Sequence, residues 1–149
     1  MNGTAGRASY AYAVAQSFDP AQLAGVRGVD GAEVRLVPYR DLVAVVSPVP
    51  LTEFDEAALP TKLESLPWLE ATARAHHAVV DAVAASSVTL PLRLATVYRG
   101  DQRVAEVLRQ GHRRFRAALD RLAGRVELGV KVYTDPRAPY GVIALTLRR

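Results

Sequence analysis

At 149 residues the chain is long enough for one domain that buries about two-thirds of the surface of its unfolded form. Half of the residues are apolar and 23% are charged, which excludes an intrinsically disordered chain. The absence of cysteine excludes disulfides, thiolate nucleophiles and cysteine metal sites, as suits a reducing cytosol. No stretch reaches the ~20 consecutive apolar residues that span a bilayer, so we expect no membrane segment.

The N-terminal part predicts a leader and a first strand. Residues 1–8 contain one arginine but no apolar stretch that ends in a cleavage-like site, which predicts a loose leader rather than a signal peptide. The single domain is therefore expected to span residues 9–149. Ser9–Ala15 alternates aromatic residues or valine with small residues, as a half-buried strand does.

A hairpin and an acidic segment follow. Glu33–Pro38 and Leu42–Val46 are two runs rich in β-branched residues, and they predict a hairpin that turns through Pro38–Asp41. Ser47–Pro67 is acidic and marked by prolines, and we expect one short helix in it, Glu53–Leu59.

Two longer helices are predicted downstream. Pro67 suits a first turn, and from it an apolar stripe that includes Thr72 and His76 recurs at helical spacing. A second helix, 101–123, has Asp101 as its cap and Gly124 as its stop. Its stripe consists of Val104, Val107, Leu108, Gly111, Phe115, Ala118, Leu119 and Leu122.

Three further strands complete the predicted order. Val88–Tyr98 lies between the helices, and its Pro91 predicts an edge position or a strand start because proline lacks the N–H that a ladder needs. Arg125–Tyr133 and Tyr140–Leu147 flank a turn at Asp135-Pro136. The order predicts an α+β fold with a mostly antiparallel sheet and helices packed on one face, as a ferredoxin-like variant.

The histidines do not form a metal-binding pattern. Neighbours on a helix point about 100° apart, so His76 and His77 cannot ligate one metal from one face. His76 falls in the apolar stripe, which predicts a buried, hydrogen-bonded core histidine. His112 has no carboxylate or histidine four residues away. We therefore expect no metal site.

No catalytic set is evident either. The candidate nucleophiles lack the strand–turn–helix glycine elbow of hydrolases; they are Ser47, Ser65, Ser86 and Ser87. Gly25–Gly28 and Gly28–Gly31 complete no phosphate-binding pattern and predict tight loops. The acids Glu53, Asp55 and Glu56 are typical of a solvated surface. The sequence therefore predicts no catalytic residue, no cofactor and no enzyme activity.

The basic second helix supports an alternative function. Eight arginines lie between Arg99 and Arg125, and Arg109, Arg113 and Arg116 project opposite the apolar stripe, where they could meet phosphates. Glu106 and Asp120 share that face and are predicted to pair with them. No strand carries the aromatic pairs that stack bases. A solvated face or an acidic protein partner is favoured, and a nucleic-acid-binding module that uses helix 101–123 is the alternative.

Four segments, in order along the chain, share motifs with one known family. Gly28–Gly31, Val34–Val37 and Asp41–Ser47 are similar to its early hairpin. His76 with Val79 and Val80 resembles its His-Glu-x-Val helix, with His77 in place of the glutamate. Leu90–Tyr98 resembles its strand Leu-Pro-Leu-Arg-Phe-Gly-Thr-Val-Phe, with departures at Leu94, Ala95 and Tyr98, and Glu127–Tyr133 is similar, without a change, to its strand Glu-Leu-Gly-Val-Lys-Val-Tyr. By these motifs the chain resembles the GvpF/GvpL family of gas vesicle accessory proteins.

The resemblance implies a cytoplasmic, vesicle-associated helper without enzyme activity or cofactor. It implies a ferredoxin-like N-terminal domain that binds the small hydrophobic shell protein and works with other vesicle accessory proteins. Members usually carry a second α+β portion, and residues 128–149 are interpreted as a remnant of it. We expect partly covered apolar sheet surface there, which would favour shell-protein binding or self-association; it comprises Val130, Val132, Val142, Ile143 and Leu145.

Overall fold

The computed structural model describes residues 6–123 completely and the backbone of residues 129–135 and 142–148. Its strands are β1 (Arg7–Gln16), β2 (Arg35–Tyr39), β3 (Leu42–Pro50), β4 (Thr89–Pro91), β5 (Val97–Tyr98), β6 (Gly129–Asp135) and β7 (Val142–Arg148). Its helices are α1 (Leu51–Phe54), α2 (Leu59–Leu63), α3 (Leu66–Ala84), α4 (Asp101–Gln110) and α5 (His112–Ala123).

The main sheet has the strand order of a ferredoxin-like fold. The order is β2-β3-β1-β4, β5 also pairs with β1, and every pair is antiparallel. The connection from β3 to β4 contains α3, whereas the connection from β1 to β2 contains two 3₁₀ turns, Pro20–Leu23 and Val29–Gly31. β6 and β7 form a separate antiparallel pair. The predicted α+β class with a mostly antiparallel sheet is therefore confirmed.

The central strand β1 is buried along both faces. Every residue from Ala8 to Ala15 is buried, because alternate side chains point into two different cores. A bulge shifts the register with β3 between Ala11 and Ala13, so Tyr12 and Ala13 join the same core. Both faces of the sheet therefore need a cover.

Helices cover the two faces separately. Tyr10, Tyr12 and Val45 pack with Val79, Val80 and Val83 of α3 on one face. The other face packs α4 and α5 against the sheet through Val104, Leu108 and Leu119. The prediction of helices on one face was therefore wrong, because β1 and β3 are apolar on both sides and each side must be buried.

The first strand and the hairpin follow the sequence closely. β1 begins at Arg7, so the strand includes the last two residues assigned to the leader, whereas residues 1–5 lie outside the described part. Tyr39 pairs with Leu42, so the turn consists of Arg40 and Asp41 alone. Arg40 adopts φ +54°, as the first position of such a two-residue turn requires.

Local hydrogen bonds changed the predicted helix boundaries. The single helix expected at Glu53–Leu59 is replaced by α1 and α2, because the Asp55 carboxylate accepts hydrogen bonds from the backbone N–H groups of Ala57 and Ala58. Helix 101–123 is divided at Gly111, which has φ −99° and ψ 10°. Asp101 does not cap α4, because its carboxylate binds Ser9 and Arg35 instead.

The predicted strand Val88–Tyr98 is interrupted. It forms β4 and β5 on either side of a turn at residues 92–96, where Ala95 adopts φ +65°. Pro91 lies in β4, at one end of the described strand order, as its missing N–H predicts. The two C-terminal strands are confirmed as β6 and β7, and the predicted helix stop at Gly124 and turn at Pro136 lie outside the described residues.

We expect Ala95→Gly to stabilise the protein by about 0.5–1 kcal/mol. The left-handed backbone conformation is strained for alanine and free of strain for glycine. The larger conformational entropy of glycine in the unfolded chain offsets part of this gain. Urea unfolding measures the effect. The matched control is Ala78→Gly at an exposed site of α3, which should destabilise by about 1 kcal/mol. Destabilisation by both substitutions would contradict the assignment of strain to Ala95.

Candidate functional site

A hydrogen-bonded cluster under α3 contains the histidine that the sequence singles out. His76 is only 3% exposed. Its Nδ1 lies 2.8 Å from the Tyr10 hydroxyl, and its Nε2 lies 3.0 Å from the backbone oxygen of Leu92. The predicted buried, hydrogen-bonded core histidine is confirmed.

The partners fix the direction of each hydrogen bond. The Leu92 carbonyl can only accept, so Nε2 of His76 carries the proton and donates it, and Nδ1 accepts from the Tyr10 hydroxyl. The Tyr10 oxygen in turn accepts from the backbone N–H of Ala95 at 3.0 Å. This chain ties β1, α3 and the 92–96 turn together, and it occupies both ring nitrogens.

Burial keeps the members of this cluster neutral. Desolvation lowers the pKa of His76 to about 4, although its hydrogen bond to Leu92 opposes the shift. Burial also raises the pKa of the Tyr10 hydroxyl above its ordinary value. At neutral pH neither group exchanges a proton readily, which fits a structural role.

A second buried tyrosine explains the glycine loop. The Tyr12 hydroxyl donates to Ser47 Oγ at 2.9 Å and accepts from the backbone N–H of Val29 at 2.7 Å. A Cβ on Gly28 would overlap the Tyr12 hydroxyl and lie 2.6 Å from Ser47 Oγ. The glycine at this position lets the loop close over the tyrosine, and no phosphate is needed to explain it.

Sequence reasoning missed both tyrosines as polar partners. The available signal was the spacing of Tyr10 and Tyr12, two apart on a buried strand, since a buried tyrosine hydroxyl must find a hydrogen-bond partner. The three other serines considered as nucleophiles bind backbone oxygens or lie on the surface: Ser86 and Ser87 donate to the carbonyls of Ala82 and Gln16, and Ser65 is exposed before α3.

The described residues do not form a metal cage. Within them, no group of three or more histidine, cysteine or acidic side chains is placed to hold an ion. Glu53 pairs with Lys62 at 3.0 Å, and the Asp55 carboxylate binds backbone N–H groups. None of the helices between residues 6 and 123 is both long and apolar enough to cross a membrane.

Ion pairs occupy much of the basic helix face. Glu106 lies 3.5 Å from Arg103 and 4.0 Å from Arg109, as the shared face predicts. Arg116 pairs with Asp120 at 3.1 Å, again as predicted.

A further acid reaches this face from the β2–β3 turn. Asp41 lies 2.9 Å from Arg116 and 2.8 Å from Nε2 of His112. The hydrogen bond from His112, with the charge of Arg116, lowers the pKa of the Asp41 carboxyl. Sequence spacing could not reveal this contact, because Asp41 lies about 70 residues before its partners.

A second carboxylate joins the start of α4 to the sheet. Asp101 accepts two hydrogen bonds from the Arg35 guanidinium, at 2.8 and 2.9 Å, and one from Ser9 Oγ at 2.7 Å. The Arg35 hydrogen bonds are the main reason that the pKa of Asp101 is lowered. This fork fixes α4 against β1 and β2.

The sequence predicts apolar surface around Val130, Val132, Val142, Ile143 and Leu145, whose side chains lie outside the described part of the chain. The backbone of both strands is antiparallel and in register, with Val132 opposite Leu145.

Comparisons with known proteins identify relatives across most of the chain. The family described as "Gas vesicle synthesis protein GvpL/GvpF" matches residues 8–145. Gas vesicle protein L of a Streptomyces species is 51% identical over 132 residues, which are 89% of this chain and 50% of that protein. Gas vesicle protein F2 of Halobacterium salinarum is 32% identical over 127 residues, which are 83% of this chain and 52% of that protein.

Solved structures share the fold. The crystal structure of gas vesicle protein GvpF from an Anabaena species matches with a TM-score of 0.60 at 22% identity, over 88% of this chain and 50% of that one. That of GvpF from Microcystis aeruginosa matches with a TM-score of 0.59 at 19% identity, over 87% and 50%. The chain spans about half the length of the curated relatives it matches.

We expect the unfolding free energy to fall by about 3 kcal/mol between pH 7 and pH 4, because His76 titrates near pH 6.5 when unfolded and near 4 when folded. In this window the unfolded chain binds more protons, so stability falls as the pH falls. Asp41 and Asp101, whose pKa values lie below 3.8, contribute mainly below this window. Urea unfolding across the pH series measures the slope.

His76→Gln should remove most of this slope, whereas the matched variant His77→Gln should keep it, since His77 is exposed on the same helix. An unchanged slope in His76→Gln would show that another group causes the acid sensitivity.

Proposed function

This chain belongs to the GvpL/GvpF family of gas vesicle synthesis proteins, and we propose from this premise that it is an accessory factor in gas vesicle formation that binds the hydrophobic shell protein during assembly. The observation that carries the proposal is the family match over residues 8–145, together with 51% identity to a gas vesicle protein L. A cytoplasmic, vesicle-associated location and contacts with other vesicle accessory proteins belong to the same proposal.

The described core supports a binding role rather than catalysis. Its buried His76 is hydrogen-bonded to Tyr10 and Leu92, and its buried Tyr12 is hydrogen-bonded to Ser47 and Val29. A catalytic base needs a free lone pair and a pKa near the working pH, and His76 has neither. The part of the chain that can act on a partner is therefore its surface.

Nucleic-acid binding is the competing function. The exposed arginines of α5 are the observation that favours it, since phosphate contacts account for most non-specific affinity. Against it, Arg109 and Arg116 already pair with carboxylates, and Tyr10 and Tyr12 are fully buried and cannot stack on bases. A protein partner is therefore the better supported reading.

Co-expression with the shell protein tests the proposal. We expect the tagged chain to retain the shell protein on an affinity column after nuclease treatment and at physiological salt. The triple variant R109Q/R113Q/R116Q should retain the shell protein equally well. Neither the unmodified chain nor the triple variant should bind a labelled RNA or DNA duplex at micromolar concentration.

Two results would count against the proposal. A shell protein that passes through the column would remove the proposed partner. Nucleic-acid binding that survives physiological salt and is lost in the triple variant would make the competing function the correct one.

A further inference from the structure

Two leucines on the α3 side of the sheet are unusually exposed for large apolar side chains. Among the described residues, Leu63 is 41% exposed and Leu66 is 64% exposed. They lie at the end of α2 and the start of α3; Glu64 lies between them, and Glu70 follows Leu66 by one helical turn. These four residues are called here the acidic leucine patch.

The two carboxylates of this patch make no ion pair among the described residues. Both Glu64 and Glu70 are exposed. The nearest lysine in sequence, Lys62, binds Glu53 at 3.0 Å and lies over the Trp68 ring. The patch therefore combines apolar area with two carboxylates that make no ion pair in the described part of the chain, although Arg74 lies one helical turn after Glu70.

The exposed side of α5 has the opposite character. Arg114 and Arg121 lie seven residues apart, two turns or roughly 10 Å along the helix, and Ala117 lies between them. All three are exposed, and the two arginines have no carboxylate partner in the described part of the chain. Arg113 adds a third exposed positive charge beside them. Arg113, Arg114, Ala117 and Arg121 are called here the arginine face.

The two surfaces belong to opposite sides of the sheet. α3 packs on the core that contains Tyr10 and Tyr12, and α5 packs on the core that contains Ala11 and Val14. Because the sheet separates them, they cannot meet within one chain. A second copy of the chain can present each of them to the other.

We infer that the acidic leucine patch of one copy docks on the arginine face of another, so that copies associate head to tail. The aliphatic stems of Arg114 and Arg121 would cover Leu63 and Leu66, and their guanidinium groups would pair with Glu64 and Glu70. A nucleic acid would satisfy the arginines but would leave the leucines exposed, so a protein partner fits both observations. This inference does not rest on the proposed function.

The geometry sets the kind of assembly. A contact between two different surfaces leaves one free surface of each type at the ends, so a chain of copies can grow with concentration. The patch is small, which predicts a weak and reversible contact. Its exposed charges are screened by salt, with a Debye length of about 10 Å at 0.1 M and about 3 Å at 1 M.

Sedimentation velocity of the nuclease-treated, full chain tests this inference. We expect the average mass to rise with concentration at about 0.05 M salt and to approach that of the monomer near 1 M. R114E/R121E and E64K/E70K should each remain monomeric at low salt, because each variant gives both surfaces the same sign of charge. L66S should also weaken association at every salt concentration, since it removes apolar contact area.

An equimolar mixture of R114E/R121E and E64K/E70K should associate again, because the first keeps an intact acidic leucine patch and the second an intact arginine face. The control variant R7E/R27E changes the net charge by the same amount as R114E/R121E, but at two exposed arginines outside the arginine face. It should associate like the unmodified chain. Circular dichroism and thermal unfolding check that every variant is folded.

Three outcomes would overturn the inference. The first is a monomer at all concentrations at low salt. The second is association that persists in both charge-reversal variants, which would place the contact on another surface, such as a strand edge. The third is association that requires nucleic acid and disappears on nuclease treatment, which would assign the arginine face to that ligand.

Discussion

The burial of β1 on both faces is the constraint on which the rest of the structure depends. The strand pairs with β3 on one side and with β4 and β5 on the other, and its residues from Ala8 to Ala15 are all buried. Its tyrosines bring two hydroxyl groups into a core, where an unsatisfied polar group costs about 1–3 kcal/mol. The histidine of α3, the glycine loop and the 92–96 turn are arranged so that each hydroxyl has partners.

The interrupted edge strand is a consequence of the same requirement. The 92–96 turn leaves the regular ladder, yet its backbone remains bonded to β1: Leu92 donates to the Tyr12 carbonyl, and Ala11 donates to the Thr96 carbonyl. Its Leu92 carbonyl is directed to His76, and its Ala95 N–H to Tyr10. The segment that resembles the family's Leu-Pro-Leu-Arg strand thus completes the polar cluster. The family pattern has glycine at the position of Ala95, which suits the left-handed backbone conformation that Ala95 adopts in this chain.

The buried tyrosine and histidine side chains of the described core form hydrogen bonds that hold the fold together, so contacts with other molecules depend on the outer surfaces. Among the described residues, Glu64 and Glu70 make no ion pair near the exposed leucines of α2 and α3, and Arg113, Arg114 and Arg121 of α5 have no carboxylate partner. On α4 and α5, Glu106, Asp120 and Asp41 neutralise the arginines that they reach. The fold that carries these surfaces matches about half of each of the longer GvpF crystal structures.

The sequence by itself determined the α+β class, the β2–β3 hairpin, the long helix from Leu66 and the burial of His76, because hydrophobic period, turn residues and helix ends act over a few neighbouring residues. Only the tertiary structure decided that α4 and α5 cover the opposite face of the sheet from α3. It also decided that the hydroxyls of Tyr10 and Tyr12 find their hydrogen-bond partners in His76, Ser47 and a distant loop. Asp41 and Asp101, which hold α5 and α4 to the sheet, likewise meet their partners only in the folded chain. These contacts join residues 17 to 92 positions apart, and no local pattern encodes which of many polar side chains will meet once both faces of one strand must be buried.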